Sequence, residues 1–203
     1  MRSLLVRADA PRAAAAANVF ASLFASIFLI TLSGLTLTGC GEGAKASGAK
    51  DRVARGQYLV NAGVCTDCHT PWKPGPGGPA PDPTRLLSGH PEDLKLATPG
   101  NLPEGWGRVM SETSTAFAGP WGISYAANLT PDDTGMGVWT EDMFIKAMRS
   151  GKHMGTGRDI LPPMPWPNYA NLTDEDLRAI FAYLRSIPPI SNVVPEPTPP
   201  AVP

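Results

Sequence analysis

Apolar positions in this chain form one long block and three helical stripes, with irregular sequence between them. The block runs from Val19 to Leu37, a mostly apolar stretch behind a leader carrying Arg2, Arg7 and Arg12. The first stripe lies in Arg52 to Ala62, where Val53, Leu59 and Val60 supply part of an apolar face and Gly56 permits close approach of another helix. The second predicts a helix over Glu141 to Ser150, N-capped by Thr140, with Phe144, Ala147 and Met148 facing inward and Gly151 as its stop. A third follows the cap Thr173. There Asp174, Glu175 and Asp176 fill the positive first turn, and Leu177, Ile180, Phe181 and Leu184 recur three and four apart.

Strand signals are weak throughout. Gly41 to Lys50 is almost all Gly, Ala, Ser and Lys and suits a flexible tether. Pro188 to Pro203 holds seven prolines in sixteen residues, cannot continue a helix, and is expected in polyproline II or disordered. The pattern therefore predicts a mainly α, loop-rich single domain over residues 51–190, followed by a Pro-rich tail, 191–203.

Charge narrows the function class. The 203 residues carry 17 Lys and Arg against 18 Asp and Glu, a net charge of −1. Removing residues 1–39 would take away Arg2, Arg7, Arg12 and Asp9 and leave 14 against 17, net −3. That balance argues against nucleic acid as a main partner. Lys146, Arg149, Lys152 and Arg158 nonetheless crowd one stretch, which reads as a solvated face or, more sharply, as a docking patch for an acidic partner.

The chemistry is concentrated in Cys65-Thr66-Asp67-Cys68-His69. A Cys-x-x-Cys-His run is the attachment signature of a c-type haem: two thiols add to the porphyrin vinyls as thioethers, and the next imidazole becomes the proximal iron ligand. Neither a redox dithiol nor a zinc half-site fits as well. A dithiol needs no histidine directly after it, and structural zinc would need a second pair of ligands. Only one such motif occurs, so one covalent haem is expected, and the Pro- and Gly-rich stretch Pro71 to Pro83 reads as an ordered loop over its edge.

The one other cysteine is Cys40, in Leu37-Thr38-Gly39-Cys40. This is similar to a bacterial lipobox, which implies residues 1–39 as a lipoprotein signal peptide and 40–50 as a lipidated cysteine with its linker; an uncleaved signal anchor is the alternative. Either way the globular part is expected in the bacterial periplasm, tethered to the membrane. With Cys40 given to lipid and Cys65 and Cys68 to haem, no thiol remains for a disulfide.

A helix with Gly56 and Tyr58, the haem motif, and a last helix with Phe181 and Tyr183 together resemble a monohaem class I cytochrome c, whose first and last helices cross at a small residue against an aromatic. The runs Ala127-Asn128-Leu129-Thr130-Pro131-Asp132, Thr134-Gly135-Met136-Gly137 and Met164-Pro165-Trp166 resemble cytochrome domains associated with membrane-bound alcohol, aldehyde and sugar dehydrogenases. The resemblance covers about residues 51–190. It implies a class I fold, redox protein partners such as a dehydrogenase or respiratory complex, and a sixth iron ligand from a Pro-containing loop before the last helix. Leu161-Pro162-Pro163-Met164-Pro165 matches that loop, making Met164 the expected ligand, with Met154 and His153 as competitors. His90 reads as a loop residue bonded to backbone or propionate. Trp139, Trp166 and Tyr169 read as crevice lining or ordinary core.

These readings favour an electron carrier, not an enzyme. No paired carboxylates, nucleophile with base, or second metal site is suggested by sequence proximity. The alternative is a haem enzyme or a haem-bearing subunit of an oxidoreductase complex, which requires an open or displaceable iron position or a larger assembly.

Overall fold

Helices α1 (Gly41–Ala62) and α5 (Asp174–Leu184) cross at Gly56, and the rest of the molecule is arranged around that crossing. The computed structural model describes residues 41–100, 102 and 104–200. A Cβ on Gly56 would stand 1.9 Å from Ala179 O and 2.8 Å from Tyr183 Cβ. Only glycine lets the two backbones pack this closely. The exposed Arg55–Asp176 pair, 2.9 Å, borders the crossing.

The first helix begins at Gly41, earlier than the expected Arg52, so residues 41–50 are helical instead of a flexible tether. Ala44, Lys45, Ala46, Ala49 and Lys50 are good helix formers, and extending a helix is far easier than nucleating one. The other two helices form as their patterns predict. In α3 (Glu141–Ser150) Thr140 Oγ1 accepts from the Met143 amide at 3.2 Å, and the N–H of Gly151 donates to Ala147 O at the far end. Thr173 Oγ1 caps α5 by accepting from the Asp176 amide at 3.1 Å. Their apolar stripes meet Val60 of α1 in one core, in which the Phe144 and Phe181 rings lie 5.7 Å apart.

Two very short helices carry chemistry-bearing residues: α2 (Cys65–His69) and α4 (Trp166–Tyr169). The strands are also short. β1 (Trp72–Lys73) pairs with β2 (Ala80–Pro81), which turns the expected loop over Pro71 to Pro83 into a small hairpin. An antiparallel sheet of β3 (Val109–Met110), β4 (Ala116–Gly119) and β5 (Gly122–Tyr125) has its central hairpin closed by the pair Gly119 and Gly122. Two to four residues are too few to show a period of two, which is why this sheet is silent in the sequence.

The Pro-rich tail is extended and docked through its few non-proline residues. Asn192 is fully buried, and Thr198 exchanges both backbone hydrogen bonds with Ile123, at 2.8 and 2.9 Å. The signal-like block 1–39 and Cys40 lie outside the described residues.

Candidate haem site

Cys65, Cys68 and His69 sit on the single turn of α2, entered through Val64 in a left-handed conformation, φ 50°. All three are half-buried, which leaves faces that a planar ring can cover. Neither cysteine is in a disulfide. Burial pushes both thiols up from their ordinary value, with Asp67 adding to the rise at Cys68. A thiol–disulfide exchange site needs the reverse, a lowered thiol, so the dithiol alternative loses ground.

His69 Nδ1 lies 2.8 Å from Ala127 O. A carbonyl only accepts, so Nδ1 carries the proton and Nε2 is left with its lone pair free. Burial holds the imidazole below its ordinary pKa, which keeps it neutral and available as a ligand. This is the arrangement expected of a metal-bound histidine whose second nitrogen is oriented by a backbone acceptor.

The loop bearing Met164 is pinned on three sides. Ser124 Oγ donates to Pro162 O at 2.5 Å, tying it to β5. The Trp166 ring lies so close to Gly151 that a Cβ there would meet it at 2.3 Å, tying it to the end of α3. Tyr169 Oη donates to Gly63 O at 2.6 Å, two residues ahead of Cys65, tying α4 to the haem motif. Burial, with Cys65 nearby, pushes the Tyr169 phenol up to about 12, so it remains a donor at neutral pH. Cys65 and Met164 both pack against the same apolar core. Met154 lies instead in the 3-10 turn His153–Gly155, half-buried, with φ 54°. His153 packs edge-on to Trp139 at 5.1 Å.

Residues 53–188 match the cytochrome c family. The chain belongs to the cytochrome c family. Its helical frame with loops and a small sheet is that of a class I cytochrome c. Over 142 residues, 69% of this chain, the cytochrome is 33% identical to 24% of the gluconate 2-dehydrogenase cytochrome c subunit of Pantoea cypripedii. It is 30% identical over 70% of its length to 23% of the fructose dehydrogenase cytochrome subunit of Gluconobacter japonicus. The cytochrome c subunit of the quinone alcohol dehydrogenase of Gluconobacter oxydans is 28% identical over 68% of the chain and 22% of that protein. The match thus spans about a quarter of these relatives' lengths.

Family membership implies covalently bound haem c. The residues present fit that group: two unpaired thiols and an imidazole with a free Nε2 share one helical turn, each with an open face. His90 is different. It is fully buried, its Nε2 donates to Leu94 O at 3.2 Å and its Nδ1 accepts from Thr115 Oγ1 at 2.9 Å, so both nitrogens are occupied.

The basic stretch is largely neutralised within the chain. Arg149 pairs with Asp174 at 2.6 Å, Lys152 with Asp159 at 2.5 Å and Arg158 with Glu196 at 3.4 Å. That pairing weakens the sharper reading of Arg149, Lys152 and Arg158 as a docking patch and leaves Lys146 without an ion pair among the described residues. Sequence reasoning also missed Ala127 and Ser124. The first acts through its backbone carbonyl, which no side-chain pattern reports, and the second through a contact 38 residues away.

Proposed function

We propose that this cytochrome is a one-electron carrier with a single haem attached through Cys65 and Cys68 and ligated by His69 and Met164. Lipid on Cys40 tethers it in the bacterial periplasm, where it passes electrons between a dehydrogenase and a respiratory acceptor. The observation that carries this reading is the His69 imidazole, fixed by Ala127 with Nε2 free, on the same turn as the two thiols. When bound, the group supplies an iron that cycles between ferrous and ferric without bonding to substrate.

The chain's own residues do the rest. Ala127 O holds the His69 ring in one tautomer and makes it a stronger donor. Ser124, Trp166 and Tyr169 hold the loop of Met164, the residue that would ligate the iron when the group is bound. When bound, a soft thioether ligand would favour the reduced state and raise the potential. The names of the gluconate and fructose relatives support a dehydrogenase as the redox partner and favour the alternative of a subunit in an oxidoreductase complex over a free-standing haem enzyme.

Met164→Ala tests the ligand assignment. Covalent haem should remain, because the thioethers come from Cys65 and Cys68. The weak near-infrared band of ferric iron–methionine bonding should vanish, and the potential should fall by roughly 100 mV or more within the ~0.8 V range that axial ligands control. If Met164→Ala keeps band and potential while Met154→Ala loses both, the ligand is Met154.

A further inference from the structure

The Ala127 carbonyl that orients His69 is held by a buried segment that a minimal helical frame does not need. Leu87, Ser88 and His90 are each fully buried. The segment is laced on one side to the haem motif, where the Gly89 amide donates to His69 O at 2.8 Å and the Leu87 amide to Thr70 Oγ1 at 2.9 Å. On its other side the His90 amide donates to Ala126 O at 2.9 Å, and Leu87 O accepts from the Leu129 amide at 2.8 Å. Gly89, at φ 78°, is in direct contact with the critical peptide: a Cβ there would stand 2.5 Å from Ala126 O and 2.6 Å from the Ala127 carbonyl carbon. The position of the His69 acceptor is therefore set by where residues 87–90 lie.

One side chain clamps that segment from outside. Asn192, in the tail beyond the last helix, is fully buried; its Nδ2 donates to Ser88 O at 2.7 Å and His90 O at 2.9 Å. Its Oδ1 accepts from an Arg85 guanidinium N–H at 2.8 Å and from the Glu92 amide at 3.0 Å. Two carbonyls face the NH2 group and two donors face the oxygen, so the amide has one satisfiable orientation and its full hydrogen-bonding capacity is used. Its own backbone is fixed by the Asn192 amide donating to Thr134 Oγ1 at 2.9 Å.

We propose that Asn192 is a positioning residue for the proximal imidazole: by clamping the peptides on either side of Gly89 it places the Ala127 carbonyl that accepts from His69 Nδ1. The tail is thereby part of the redox apparatus. The proposal rests on the reading of His69 as the iron ligand. A looser Nδ1–H···O bond leaves the imidazole a poorer donor, stabilises the ferric state less and raises the potential.

The test uses the full-length, haem-loaded protein and two variants. Asn192→Ala removes the clamp. Asn192→Asp keeps the acceptor for Arg85 and Glu92 but turns a carboxylate oxygen on the Ser88 and His90 carbonyls. At a fixed ambient potential the oxidised-to-reduced ratio of the charge-neutral Asn192→Ala should fall about tenfold, a rise of roughly 59 mV for one electron. Exchange of the His69 Nδ1 proton, followed by NMR in the ferrous state, should speed up by a similar factor. Val193→Ala, at a neighbouring exposed side chain, should change neither.

Folded Asn192 variants with wild-type potential and wild-type Nδ1 exchange would overturn the proposal. Should neither variant fold, the wild type still decides it, because the His69 Nδ1 proton and the Gly89 and His90 amides must then exchange as one cooperative unit. Independent exchange of the three also overturns it. Wild-type protein lacking covalent haem would instead sink the reading beneath it.

Discussion

Where α1, α3 and α5 meet, the buried side chains include Val60, Phe144, Ala147, Leu177, Ile180 and Leu184; between residues 70 and 130, with Asn192, they include Thr70, Ser88, His90, Thr115, Asn128 and Thr130. Among the described residues, every buried polar side chain lies outside those three helices. The helices satisfy their own backbone groups and need only an apolar stripe to associate. The loop layer cannot do so. Its carbonyls and amides are answered partly by the backbone of other loops, as the Gly89 amide is by His69 O, and partly by side chains, as Asn192 answers Ser88 and His90 and as Asn128 and Thr130 answer Ile190 O. One region is held by shape and the other by hydrogen-bond matching. The proposed iron ligands lie where the two meet.

That contrast can be broken from the helical side first, with the largest effect. Gly56→Val places branched carbon where a single Cβ would already stand 1.9 Å from Ala179 O, so α1 and α5 must separate. We expect a loss of at least about 3 kcal/mol in urea unfolding of the haem-loaded protein. A loss below about 1 kcal/mol would mean that the crossing does not organise the fold.

From the polar side the effect should be smaller and different in kind. Asn192→Ala leaves two carbonyls and two donors unmatched in the interior, and should cost about 2–3 kcal/mol in the same unfolding measurement.

The smallest effect concerns Asp82, which accepts from Lys73 Nζ and from the Thr84 amide, each at 2.9 Å, and closes the β1–β2 hairpin. The Lys73 hydrogen bond, helped by Thr84, lowers its carboxyl to about 2. A depressed folded-state value means that the contribution is fully present above the unfolded value of about 4 and is lost as pH falls from there through about 2. The Thr84 amide resonance should titrate with a midpoint near 2, and Asp82→Asn should abolish the titration. A midpoint near 4 would show the hairpin contact to be absent in solution.

The same contrast explains what could be read in advance. Both ends of α3 and the cap of α5 were legible because Thr140, Gly151 and Thr173 act on their own helices within four residues. Gly56 was legible as a place of close approach, and the five-residue haem motif carries its ligand chemistry locally. The Gly-, Ala- and Ser-rich composition of residues 41–50 suggests flexibility, but α1 extends through them. The tail's prolines suggest polyproline II or disorder and say nothing of its docking, which comes from Thr198 on Ile123 and from Asn192 on Ser88, 104 positions away. Ser124, Ala127 and Asn192 left no trace in any periodic pattern, since a hydrogen bond between distant loops requires no spacing rule.

We propose that His69 and Met164 both ligate the iron, which would leave the cytochrome no open coordination position. Exposing the reduced haem-loaded protein to carbon monoxide at neutral pH tests it most directly. We predict no binding over minutes to the wild type and rapid, complete binding to Met164→Ala. Rapid, complete binding to the wild type would contradict the account and return the haem-enzyme reading to first place.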